Sequence, residues 1–421
     1  MTSAQPARQR RLTPTRRGTG VAIAAATMLI LGIGFGSAAL TYLAVATTAA
    51  VLVAWVWVAV IGISLPSRLA RVSRAIGPQH AMVNVPAFVT TSMTATRWNA
   101  TSHMLIRGLG VSEQAAAEIT GTAHQRAAVT RGERALTLTY PIRPTQRGWW
   151  TLGPCMVATT DPWGLVNAEC SVGATDTVAV WPAVVDLVDV ARAVMGVSEH
   201  RSTGVVSAQA DDSSLREYRQ GDDLRRVHWA SSARRQTMLV RHDEHEGKRP
   251  ATVILDLPGS AAAAEWAISA AASIASAVLE TGHEAVTVGA GLSHDPSIAA
   301  TGNAERERLL DSLAALEARP IDRVGDPTGN VGDAAAIAAD RERYGAVTFA
   351  IMGAPPEAAL ADLARLGHSG SAWAVIVDTA ARGTQSATDA LRAAGWRVVV
   401  ANPHEPVGRA WQLLAGEAAH A

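Results

Sequence analysis

GTGVAIAAATMLILGIGFGSAALTYLAVATTAAVLVAWVWVAVIGISLPS, from Gly18 to Ser67, contains no Asp, Glu, Lys or Arg. As a single helix it would measure roughly 75 Å at 1.5 Å per residue, more than twice the ~30 Å hydrocarbon core of a bilayer. Two antiparallel spans joined by a tight turn fit that thickness. The sequence predicts them at Val21–Leu40 and Val45–Leu65, with the turn at Thr41–Ala44 and Pro66 stopping the second span. Tyr42, Trp55 and Trp57 are the expected interfacial or lipid-facing aromatics. Arg8, Arg10, Arg11, Arg16 and Arg17 precede the first span, Arg68, Arg71 and Arg74 follow the second, and the turn is uncharged. The positive-inside rule then places both termini in the cytoplasm. Residues 1–20 become a basic cytoplasmic tail and residues 21–65 a multi-pass anchor in the plasma (inner) membrane, with the lipid bilayer as a partner. A cleaved signal peptide is excluded because a second apolar stretch follows at once, with no cleavage site leading into a polar mature start.

The 421 residues leave room for two soluble domains beyond the anchor. Lys+Arg and Asp+Glu both total 37, so the basic excess of a nucleic-acid binder is missing and no nucleic-acid partner is expected. Arginine carries nearly all the positive charge, since Lys248 is the only lysine. Cys155 and Cys170 lack CxxC spacing, and in the cytoplasm they are expected to stay reduced.

Residues 75–187 read as a β-sandwich-like domain of antiparallel strands. Ala87–Thr96, Ala127–Thr130, Ala135–Ile142, Trp150–Thr159 and Thr177–Trp181 are rich in threonine, valine and aromatics and are broken by turn residues. In Asp161-Pro162-Trp163-Gly164-Leu165, Asp161 is expected to start a turn, Pro162 to preset φ, Gly164 to take the strained position and Trp163 to fill the core.

Residues 188–249 form a charged segment. Its centre runs Arg216-Glu217-Tyr218, then Gly221-Asp222, Arg225-Arg226, His228-Trp229, Ser232, Arg234 and finally Arg241. Seven arginines and six carboxylates between Leu215 and Glu246 suit an ion-pair network, and a short helix is expected around Arg225–Arg235. His228 with Asp222 and Ser231/Ser232 is not taken as a hydrolytic triad: triads are set by geometry, and no G-x-S-x-G elbow is present. His242 and His245, three apart on a strand, would face opposite ways and so make a poor metal pair.

This block resembles the signature of the bacterial "domain of unknown function 58" family, which looks like R-E-Y-x-x-G-D-x-x-R-x-I-H-W-x-x-S-A-R followed by L-x-V-R. Arg216, Glu217, Tyr218, Gly221, Asp222, Arg225, His228, Trp229, Ser232, Ala233 and Arg234 match, with Val227 in the isoleucine place. Arg147-Gly148 and Asp161–Leu165 are similar to the family's upstream segment. The resemblance implies a membrane protein that keeps company with MoxR-type AAA+ ATPases and transglutaminase-like membrane proteins, in chaperone-like or assembly roles.

Strands and helices alternate after Pro250, which predicts a doubly wound parallel α/β domain over residues 250–405 and a terminal helix or tail over 406–421. The strands are expected at Ala251–Leu255, Ala285–Val288, Ala346–Ile351, Trp373–Val377 and Arg397–Val400. This half resembles von Willebrand factor A-like domains, whose D-x-S-x-S motif holds a divalent ion. Asp256 and Ser260 match that motif, but Pro258 replaces the middle serine, and Gly353-Ala354-Pro355 lacks the aspartate expected after the later strand. The result is a degenerate Mg²⁺ site with Asp256 and Ser260 as its only candidate ligands, and no resident cofactor is expected. No P-loop occurs.

The expected function is a non-enzymatic, membrane-anchored interaction or scaffold protein that presents its charged block to an AAA+ ATPase. The rival is a divalent-metal-dependent enzyme or metal-insertion factor centred on Asp256.

Overall fold

The computed structural model describes residues 10–68, 71–77, 80–94, 108–120, 127–132, 135–196, 215–217, 232, 237, 239–241, 250–290, 292, 302–316, 331–342, 345–367, 371–377 and 383–419. The chain divides after Trp181 into two compact units.

In the first unit, strand β1 (Arg10–Pro14) leads into helix α1 (Arg16–Gly34), followed by α2 (Ala38–Arg68). Both helices are long and apolar enough to cross a membrane, and only 17% of each apolar window is buried within the protein. Their turn lies at Phe35–Ser37 and not at Thr41–Ala44. Gly36 takes a left-handed φ of +63°, and the Ser37 N–H donates to the Gly32 carbonyl at 2.9 Å, closing α1 as a Schellman turn. The GFGS string signalled that turn, but the unbroken apolarity around it hid the signal. Pro66 does not stop the second span either, because α2 runs through it to Arg68. Gly18, Ala25 and Gly32 are the buried residues of α1, a stripe of small side chains that lets helices approach closely.

The rest of this unit comprises β2 (Arg71–Gly77), β3 (Ala81–Met82), β4 (Ala87–Thr94), β5 (Gly110–Ala115), the single turn α3 (Ala117–Thr120), β6 (Ala128–Arg131), β7 (Ala135–Ile142), β8 (Gly148–Thr160), β9 (Val166–Val172) and β10 (Asp176–Trp181). One sheet has the order β2-β4-β7-β6, and the other the order β1-β9-β8-β10-β3 with β5 also on β8. Leu138 and Tyr140 from the first sheet share a core with Leu152 and Val180 from the second, and Met93 and Leu136 share another with Val157 and Val172. Residues 10–14, expected to be tail, are instead an edge strand whose Arg10–Pro14 pair with Cys170–Val166. Leu12 is its only aliphatic side chain, so no alternation marked it.

The second unit holds a two-stranded ribbon, β11 (Leu215–Glu217) with β12 (Leu239–Arg241), and an α/β sheet. The sheet segment runs β13 (Ala251–Leu255), α4 (Ala261–Glu280), β14 (Ala285–Val288), α5 (Asn303–Ala315), α6 (Val331–Glu342), β15 (Val347–Met352), α7 (Glu357–Leu366), β16 (Ala372–Val377), α8 (Thr384–Ala393), β17 (Arg397–Ala401) and α9 (Val407–Ala419). All five strands are parallel, in the order β14-β13-β15-β16-β17. One face packs under α6, α7 and α8 through Ile254, Ala350, Ile376, Ala334, Leu363 and Leu391. On β15, Phe349 meets Trp411 of α9 edge-on, with centroids 5.8 Å apart. Helix α4 is also apolar enough to cross a membrane, but 83% of its window is buried inside the protein, which makes it a core helix. Helix α6 was not expected, because its buried positions at i, i+3, i+4 and i+7 are Val331 and three alanines.

A buried polar network lies in the first unit. Arg74 of β2 donates through Nε to Glu113 Oε1 (2.5 Å) and through Nη1 to Asp176 Oδ2 (2.6 Å) and the Ala174 carbonyl (3.0 Å). The hydroxyls of Thr91 (2.6 Å) and Tyr140 (2.9 Å) donate to Glu113 Oε2, and the Cys155 thiol lies 3.3 Å from Glu113 Oε1. The side chains of Arg74 and Glu113 are only 5% and 1% exposed. Burial opposes the Arg74 charge, but the bonds to Glu113 and Asp176 outweigh it and hold the guanidinium pKa above its usual value. Burial, then the charge of Glu113, push the Tyr140 phenol up and the Cys155 thiol up to about 12. Arg74 therefore joins the two sheets and is not a free flanking charge of the anchor. Replacing it by Arg74→Met would strand a buried carboxylate, a change that costs about 3–5 kcal/mol. We expect a clearly lowered thermal unfolding midpoint for the detergent-solubilised protein; an unchanged midpoint would show that the pair does not hold the sheets together.

Candidate functional site

Strand β13 is buried along its whole length, as a continuous apolar run in a parallel sheet demands. Its neighbours are β14 on one side and β15 on the other, so the strand order reverses between β13 and β15. Ligands of open α/β sheets bind at such a reversal, outside the carboxyl ends of the strands. Asp256 stands there. Its N–H donates to the Ile351 carbonyl at 2.9 Å, extending the β13–β15 ladder by one bond before the chain leaves the sheet. Pro258 follows, with Gly353 at the end of β15 placed so that a Cβ on it would lie 3.7 Å from the proline ring. Ser260 then caps α4, its Oγ accepting from the Ala263 N–H at 3.2 Å.

Burial pushes the Asp256 carboxyl up to about 6, partly opposed by a bond from the Leu257 N–H. Those two side chains supply one carboxylate and one hydroxyl, and the hydroxyl already serves the helix cap. Pro258, Gly353, Ala354 and Pro355 add no side-chain oxygen. Among the described residues no three His, Cys, Asp or Glu side chains gather as metal ligands. The donor set does not fit a resident Mg²⁺, which takes six oxygens in near-ideal octahedral geometry.

The ribbon brings the two ends of the central Arg216–Arg241 block together: Leu215 pairs with Arg241, Arg216 with Val240 and Glu217 with Leu239. Ser232 is half-buried. Tyr218, Gly221, Asp222, Arg225, Arg226, His228, Trp229 and Arg234 lie outside the described residues, as do His242, His245 and the expected ion pairs and helix. The Arg74–Glu113 network was missed. Its signal was the glutamate in Val111-Ser-Glu113-Gln-Ala115, at the same strand phase as two apolar residues.

The sign of the Asp256 shift gives a pH test. Between about pH 4 and 6 the folded protein keeps a proton that the unfolded chain has lost, so this group's contribution falls as pH rises through that window. Above it the ionised carboxylate is a net cost. Asp256→Asn should therefore stabilise the protein at pH 7.5 by on the order of 1–3 kcal/mol, with the gain shrinking toward pH 4. A midpoint at pH 7.5 equal to or below that of the unaltered protein would contradict this.

Residues 214–352, from the ribbon through the end of β15, match the protein family described as "Protein of unknown function DUF58". No curated protein matches the chain. Asp256, the reversal point and the charged segment from residue 214 onward fall inside the matched stretch, so the similarity to the DUF58 family covers residues 214–352 of this chain.

Proposed function

We propose that this is a membrane-fixed scaffold, without enzymatic activity, that presents its arginine-rich segment to a MoxR-type AAA+ ATPase in a chaperone-like or assembly role. The observation that carries the reading is the way the anchor joins the first sheets. Ala54 and Val58 of α2 pack with Leu165, Val166 and Ala168, and Thr15 at the start of α1 bonds to the Gly164 and Leu165 carbonyls. A sheet built onto its own anchor is held at a set height and orientation, as suits a platform and not a tethered catalyst. The flanking Arg11, Arg16 and Arg17, with Arg68 and Arg71, favour both termini on the cytoplasmic side, where an ATPase and other membrane proteins are available as partners. Residues 250–405 are read as von Willebrand factor A-like.

Arg225→Ala combined with Arg226→Ala should sharply reduce co-purification of the ATPase from native membranes while leaving membrane insertion intact. Undiminished recovery of every partner would count against the scaffold reading. A second reading, a divalent-metal enzyme or insertion factor, is favoured only by the poorly solvated carboxylate of Asp256 at the strand reversal. It requires stoichiometric divalent metal in the purified protein, lost on Asp256→Ala; metal-free protein would end it.

A further inference from the structure

The turn between β8 and β9 is held from two sides. Within it, the buried Asp161 carboxylate accepts the N–H groups of Trp163 (2.8 Å), Leu165 (2.6 Å) and Val166 (2.6 Å), and the Asp161 carbonyl accepts from Gly164 (3.0 Å). Toward the anchor, Thr15, which caps α1, donates its N–H to the Leu165 carbonyl (2.9 Å) and its hydroxyl to the Gly164 carbonyl (2.6 Å). Gly18 rests on the Leu165 carbonyl so closely that any side chain there would overlap it. Leu165 is buried among Val21, Val51, Ala54, Trp55 and Val58. The expectation that Trp163 fills the core is wrong: it is 56% exposed, and Leu165 of the same turn is the buried residue.

Depth follows from two rulers. Helix α1 rises about 28 Å from Arg16 to Gly34, and α2 rises about 30 Å from Ala38 to Val58, at 1.5 Å per residue. Each matches the ~30 Å hydrocarbon core. Starting from the hairpin turn, both rulers reach one bilayer face at the same two places, Thr15–Arg17 and Trp55–Val58. Within those stretches Thr15 bonds to the Gly164–Leu165 turn, and Trp55 and Val58 pack in one cluster with Leu165. Trp163 is therefore at interfacial depth, with an apolar ring and a polar N–H of the kind that partitions to the headgroup level.

We infer that the Asp161–Leu165 turn is a third membrane contact, with the Trp163 indole seated in the boundary between headgroups and acyl chains of the leaflet where α1 begins. The occupant is lipid because the turn that carries the exposed indole is bonded to Thr15 at the start of α1 and packs through Leu165 on the apolar side chains of α1 and α2. The inference rests on α1 and α2 spanning a bilayer. A turn preset by Asp161 inserts with little added ordering cost.

The test uses the full chain. Cys155 and Cys170 are 0% and 3% exposed, so a thiol-reactive fluorophore goes to an introduced cysteine. Trp163→Cys, Ile23→Cys on α1 and Gln114→Cys on β5 are labelled separately and reconstituted in phosphatidylcholine–phosphatidylglycerol vesicles. The lipids carry a nitroxide either at the headgroup or in mid-chain. The Ile23 site should be quenched by the mid-chain nitroxide. The Trp163 site should be quenched by the headgroup nitroxide severalfold more than the Gln114 site, and Pro162→Cys, which keeps the indole, should behave like Trp163→Cys. Quenching at the Trp163 and Pro162 sites no greater than at Gln114, with Ile23 quenched, overturns the inference alone and leaves the indole to a protein partner. An unquenched Ile23 site overturns the spans and the inference with them.

Discussion

Backbone approach between Gly18 of α1 and Leu165 at the β8–β9 turn is the constraint on which the first unit depends. Apolar helices gain little by leaving lipid for one another, so an anchor is fixed to a domain by close packing and hydrogen bonds. Thr15 supplies the bonds and Gly18 the space, while Gly62 of α2 sits against the Ala168 methyl, with room for a Cβ only at 3.4 Å. Because β1 precedes α1 and pairs with Val166–Cys170 of β9, the chain is clamped to the sheet before it enters α1. Tilting the hairpin would break the Thr15 bonds and pull on an edge strand at once.

Beyond α2 the chain is fixed again, by charge. Arg74 follows α2 closely and crosses to Glu113 on β5 and Asp176 on β10. A buried pair of this kind is weak evidence for net stability, since desolvation offsets much of the attraction. Its effect on register is stronger. A slip of β2 by one residue would carry the guanidinium to the other face and leave Glu113 with the Thr91 and Tyr140 hydroxyls and the Cys155 thiol but no cation. The neighbouring Cys155 is held as a thiol by the same burial and the same negative charge, which removes it from thiolate chemistry.

Legibility in the sequence followed the strength of the periodic signal. Strands Ala135–Ile142, Ala251–Leu255 and Ala285–Val288 fall where their patterns place them, because buried runs of that composition have few alternatives. The hairpin was legible as a pair of helices, and its turn was not. In a stretch without charges only the backbone glycine at position 36 marks the reversal, and the count of residues per span pointed elsewhere. β1, β5 and β9 escaped notice because arginine, glutamate and small residues interrupt their alternation. The Arg74 network escaped with them, being a contact between strands distant in sequence. Trp163 shows a different failure. A large apolar residue beside a turn is usually core, and only the position of α1 at that turn makes exposure sensible.

The two units treat buried negative charge in opposite ways. Glu113 is enclosed by a guanidinium and by the hydroxyls of Thr91 and Tyr140, so its burial is compensated and the group is committed to the fold. Asp256 is largely removed from water with one backbone N–H on its carboxylate, and its affinity for a proton rises accordingly. It also stands where the strand order of a parallel sheet reverses, inside the stretch that matches the DUF58 family. A compensated carboxylate has nothing left to offer a ligand or partner. Asp256 at the end of β13 keeps electrostatic capacity that Glu113 has spent within the fold, at the kind of position where open α/β sheets bind ligands.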